Sequence, residues 1–110
     1  MRSYIGKLIS VTIDRPMGSH HPEYPDTVYS VNYGYLKDTL SPDGEELDCY
    51  VLGVNQPVSE YTGRCIAAIF RENDDDPKLV VAPDGVELGD SEIEAAVAFI
   101  ERYFKAKIIR

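Results

Sequence analysis

The chain has 110 residues, 44% of them apolar, and a formal charge of −8. That length holds one small domain with one modest core and leaves no room for a second. The negative balance speaks against nucleic acid as the main partner, no apolar run is long enough to cross a bilayer, and the N-terminus lacks the apolar core of a leader peptide. The expectation is therefore a cytoplasmic globular protein with no nucleic-acid and no membrane partner.

In chain order, residues 4–13 are rich in β-branched side chains and alternate after Gly6, which predicts a strand closed by Asp14-Arg15-Pro16. Residues 17–26 contain Gly18, Pro22 and Pro25 and read as a loop. Its His20-His21 pair invites a metal reading, but adjacent side chains of an extended chain point opposite ways and there is no third histidine, so an exposed or structural role is the expectation. Residues 28–31 resume a strand. A further strand over 47–54 puts Asp48, Tyr50 and Leu52 on one face and Leu47, Cys49 and Val51 on the other. Gln56-Pro57 and Tyr61-Thr62-Gly63 mark turns, and 64–70 and 79–82 read as buried-type strands. Cys49 and Cys65 sit in apolar runs without zinc-site spacing, which predicts buried free thiols, with one disulfide as the alternative. Ser91 and Glu94 form a capping-box pattern that opens a helix over 91–105, with Ile93, Ala96, Val97, Ile100, Tyr103 and Phe104 as its apolar stripe. Five or six short strands and one terminal helix define an α+β, mainly β domain, a small barrel or its close equivalent.

Two acidic stretches stand out. Asp43-Gly44 is a turn pair, and with Glu45, Glu46 and Asp48 it crowds carboxylates onto one bend. Such a bend is either a solvated turn or a set of hard oxygen ligands suited to Mg²⁺, Mn²⁺ or Ca²⁺. An ionised Asp48 inside an apolar strand requires a counter-charge, hydrogen bonds or a metal, unless its strand is an edge facing water. The second stretch, residues 71–78, runs Arg-Glu-Asn-Asp-Asp-Asp-Pro-Lys, which by itself reads as a solvated loop.

Asn32-Tyr33-Gly34-Tyr35, Asp38-Thr39-Leu40, Asp43-Gly44, Leu47-Asp48 and Val51-Leu52-Gly53, in this order, resemble the central signature of the soluble family I inorganic pyrophosphatases. The stretch 76–83 is similar to that family's second acidic segment, and Phe99-Ile100-Glu101-Arg102-Tyr103 to its terminal helix, so the resemblance runs from about Val11 to about Lys105. It implies one domain over 1–110: an OB-like five-stranded barrel at about 4–83 with the C-terminal helix, about 91–105, packed on it. It also implies Mg²⁺-dependent hydrolysis of pyrophosphate to two phosphates by metal-activated water. Two or more Mg²⁺, with Mn²⁺ as a substitute, would be held by Asp43, Asp48 and Asp76, joined by Asp14 and by Asp74 or Asn73. Glu45 and Asp48 would serve the attacking water; Tyr33, Lys78 and Tyr103, with Arg15, Lys37, His20 or His21 as a stand-in cation, would hold the small phosphate anion. A homo-oligomer is implied by the resemblance alone. The chain departs from the family pattern at Glu45 (an aspartate), Glu46 (a proline), Glu23 and Phe104 (lysines), and an arginine-bearing strand is missing between Pro25 and Val28. Those departures leave two rivals: a non-catalytic metal- or phosphate-binding module, and a hydrolase of another phosphoanhydride.

Overall fold

The computed structural model describes residues 4–37, 46–72 and 77–110. Among these residues six strands, β1 (Leu8–Arg15), β2 (Asn32–Leu36), β3 (Leu47–Val51), β4 (Glu60–Arg71), β5 (Lys78–Ala82) and β6 (Ala106–Ile109), accompany one helix, α1 (Asp90–Glu101). The strand order is β1-β2-β3-β5-β4-β6, and β1 also pairs with β4, so five strands close into a barrel and β6 lies on its outside edge along β4. All pairings are antiparallel except β3 with β5, which run parallel with Asp48 beside Lys78. This is the mainly β barrel with a terminal helix that the sequence implies.

Alternation along the strands sorts side chains into two cores. Val11, Leu36, Leu47, Cys49, Val51, Leu79 and Val81 fill the barrel interior. Tyr50, Leu52, Ile69 and Val80 face outward and are covered by Ile93 and Val97 of α1. The two faces of β3 are thus those expected from its period of two. Cys49 and Cys65 are both buried and free, and burial raises their thiol pKa values, which leaves them inert packing residues.

Gly34 marks where β1 and β2 approach most closely. A Cβ at this position would lie 1.9 Å from the Thr12 carbonyl oxygen, so the strand pair has no space for any side chain. Gly34→Ala should cost about 2 kcal/mol or more in urea unfolding, because the clash is with backbone that cannot rotate away. The neighbouring Asn32 is fully buried and satisfied: its Oδ1 accepts from Met17 N–H at 2.8 Å and Val58 N–H at 3.3 Å, and its Nδ2 donates to the Gln56 carbonyl at 2.9 Å. One amide therefore ties two loops to the start of β2.

Several boundaries differ from the sequence reading. The first strand occupies Leu8–Arg15 rather than 4–13, with a bulge that leaves Asp14 between the Ile13–Gly34 and Arg15–Tyr33 pairs. Residues 28–31 do not form a strand of the barrel; Val28 makes an isolated bridge with His20, and Tyr29 N–H donates to the Ser19 carbonyl, so residues 16–29 fold as a strap. The helix is capped by Gly89 rather than Ser91, with Glu92 Oε1 accepting from Gly89 N–H at 3.2 Å, so the reciprocal bond forms two residues earlier than predicted. It ends at Glu101, not at 105. Phe104 N–H bonds the Glu101 carbonyl in a turn, and the following residues pair with β4 as β6, which the sequence reading did not anticipate. Tyr103 and Phe104 consequently leave the apolar stripe and stand 68% and 42% exposed.

Candidate active site

A cleft of about 610 Å³ opens on the barrel flank, between the strap and the turn that follows α1. Its floor comes from the outward faces of adjacent strands. Tyr33 lies across from Tyr50, Asp48 from Tyr35 on one side and Lys78 on the other, and Lys78 from Ile69. Of the residues the sequence singles out, Tyr33, Asp48, Lys78 and Tyr103 all line this cleft.

Lys78 Nζ donates to Asp48 Oδ2 at 2.7 Å, with the lysine side chain 3% exposed and the aspartate 27%. The parallel register sets this pair, since it starts both strands side by side. Lys78 Nζ also lies 5.7 Å from the Tyr33 ring centroid. An ammonium so thoroughly removed from water needs compensating charge, which Asp48 supplies. The pair therefore places one cation and one carboxylate on the floor of the same pocket.

Asp14 and Arg15 do not line the cleft. Arg15 Nη1 is 3.6 Å from Asp14 Oδ2 and donates to the Asp14 carbonyl at 3.2 Å. Burial raises the Tyr29 pKa while Arg15 opposes the rise; Asp14 and Asp48 both add their fields to the same hydroxyl. Asp43, Glu45, Asp74 and Asp76 lie outside the described residues, as does Asn73. Among the described residues no three His, Cys, Asp or Glu side chains converge on a metal. His20 Nδ1 bonds the Pro25 carbonyl, and His21 Nδ1 accepts from Glu23 N–H and Tyr24 N–H, so both rings serve the strap.

Arg71 is the cleft residue that sequence reasoning missed. Its Nε donates to Glu101 Oε1 at 2.9 Å and its Nη2 to Oε2 at 2.6 Å, while Tyr50 donates its hydroxyl to the same Oε2 at 2.6 Å. Both charged side chains are over nine-tenths buried. Phe104, standing where the resemblance leads one to expect a lysine, lays its ring 3.8 Å from the Arg71 guanidinium. A cation thus reaches this wall from β4 instead of from the helix. Two signals point to it: Ala67, Ile69 and Arg71 alternate onto one face of β4, and Glu101 falls on the helical stripe of Ile93 and Val97.

Burial first, then the Glu101 charge and its hydrogen bond, hold the Tyr50 hydroxyl well above its ordinary value of 10.0. The folded state then keeps a proton that the unfolded state releases, so this contribution is complete below pH 10.0 and is lost as the pH rises beyond it. Unfolding free energy should decline on the alkaline side of that value, and Tyr50→Phe should make the decline shallower. An identical alkaline decline in the variant would contradict this assignment.

A closed five-stranded barrel with a cleft of paired acids and bases on its flank, roofed by a terminal helix, defines the class. The family model described as inorganic pyrophosphatase matches residues 7–106, so the chain belongs to the inorganic pyrophosphatase family. An inorganic pyrophosphatase of Saccharolobus solfataricus is 33% identical over 94 residues, covering 68% of this chain and 55% of that protein; the chain spans just over half of that relative's length. Crystal structures of inorganic pyrophosphatases share the fold: that from Ehrlichia chaffeensis at a TM-score of 0.68 and 19% identity, covering 96% of this chain and 88% of that one. The Neisseria gonorrhoeae enzyme superposes at 0.64 and 22%, covering 89% and 74%.

Proposed function

We propose that the chain hydrolyses inorganic pyrophosphate to two phosphates in a Mg²⁺-dependent reaction, in the cytoplasm and as a homo-oligomer. The observation that carries this reading is the Asp48–Lys78 pair in the cleft, 2.7 Å apart, inside the stretch that matches the family. The donor set fits a hard divalent cation: each of the ligands Asp43, Asp48, Asp74 and Asp76 offers carboxylate oxygen. Two or more Mg²⁺, or Mn²⁺ in their place, would supply an activated water and offset the charge of both phosphates.

The chain's own groups do the rest. Asp48 serves the metal and orients the water, and Glu45 takes the water's proton. Lys78 shares its ammonium between Asp48 and a phosphate oxygen, a charge-assisted bond of the stronger kind. The Tyr33 and Tyr103 hydroxyls donate to the outer oxygens; Tyr103 Oη now accepts from Arg102 Nη2 at 3.0 Å, which keeps the ring at the rim. The hydrophobic faces of Tyr29, Tyr33 and Phe99 exclude water from the floor, their rings meeting at 5.4 and 5.5 Å between centroids.

Calorimetric titration with Mg²⁺ tests the metal assignment. The parent protein should bind, and Asp48→Asn should bind about tenfold more weakly or worse, since even an indirect partner of a metal ligand is worth that much. Equal affinity in the two proteins would remove Asp48 from the site. Mg²⁺ binding without turnover of pyrophosphate would turn the reading to a binding module.

A further inference from the structure

The cleft has two chemically different ends. Lys78 and Asp48 charge its floor, and His21 and Tyr24 present their rings from the strap. Tyr24 is 64% exposed although it lines a concave surface. Tyr24 is held in place: its ring is 5.1 Å from that of His21, which in turn stacks within 6° of parallel on Tyr29. A bare pyrophosphate has no apolar surface with which to cover such rings. At about 610 Å³ the cleft also falls within the range, about 300–1,000 Å³, that encloses organic ligands.

A ligand that satisfies both ends carries a phosphoanhydride and a planar ring. We propose that the cleft takes nucleoside 5′-diphosphates as a further substrate class, the smallest phosphoanhydrides that also bear a base. The diphosphate lies at Lys78, and the base stacks against Tyr24. Stacking on aromatic side chains accepts any base, because every base presents a π-face. This proposal rests on reading the cleft as a phosphoanhydride site. The reaction is the same displacement. A water oxygen bonds to the terminal phosphorus, the bridging P–O bond breaks, and the bridging oxygen leaves with the nucleoside monophosphate. The water's surplus proton passes to solvent.

The test compares two non-hydrolysable probes, α,β-methylene-ADP and methylenebisphosphonate, by calorimetry in Mg²⁺ with the whole chain and with Tyr24→Ala. The nucleoside probe should bind about tenfold more tightly, and Tyr24→Ala should remove most of that advantage while leaving methylenebisphosphonate binding and pyrophosphate turnover unchanged. ADP should release phosphate with the parent protein. The proposal is overturned when the two probes bind alike, when Tyr24→Ala weakens both equally, or when ADP binds without being cleaved. Pyrophosphate turnover with no preference for the nucleoside probe would sink the ring subsite alone. A clear preference with ADP cleavage and no pyrophosphate turnover would sink the proposed function alone.

Discussion

Glu101→Leu should lower the unfolding free energy by about 3–5 kcal/mol, read from urea denaturation, because it takes a carboxylate from a buried guanidinium. Arg71 and Glu101 are 7% and 6% exposed, and the paired bonds of 2.9 and 2.6 Å are made where water cannot replace them. The same change strips the Tyr50 hydroxyl of its acceptor. Leucine matches the volume well enough that a cavity contributes little. Arg71→Met combined with Glu101→Leu should recover most of the loss, since replacing both partners of a buried pair by apolar groups is often neutral or better. A single Glu101→Leu variant within about 1 kcal/mol of the parent would show that the network does not support the cleft wall.

Lys78→Met should reduce kcat/KM for pyrophosphate by about 10²-fold, the usual consequence of deleting one fixed donor aimed at developing negative charge. The lysine is 3% exposed and its methylene stem packs in the cleft floor, so methionine keeps the shape and loses the ammonium. Because Asp48 is left without this partner, Lys78→Met should also bind Mg²⁺ at least as well as the parent, as the ammonium no longer competes for the carboxylate. Reduced turnover together with weakened Mg²⁺ binding would place Lys78 in the support of the metal site instead of on the phosphate.

The barrel was legible because its determinants are local. In β3 the period of two separates Leu47, Cys49 and Val51 from Asp48, Tyr50 and Leu52, and each set is found in its expected core or cleft. Free, buried thiols followed from the same apolar runs. The features that escaped depend on contacts between distant segments. Arg71 finds Glu101 thirty residues away, β6 forms only because the edge of β4 is open to it, and Asn32 is explained by loops at Met17 and Val58. The helix end was misplaced because Tyr103 and Phe104 continue the apolar spacing; what stops the helix is the turn in which Phe104 N–H closes on the Glu101 carbonyl. Asp48, Lys78, Tyr33 and Tyr103 were named from the resemblance, and the cleft brings the four together. Asp14 and Arg15 do not line it; the register shift of β1 falls between Ile13 and Arg15.

The deciding measurement is phosphate release from pyrophosphate by the purified chain, with and without Mg²⁺ and beside an Asp76→Asn control. Metal-dependent release that the control abolishes is the predicted result. No release from a folded protein that still binds Mg²⁺, or release indifferent to the metal, would contradict it.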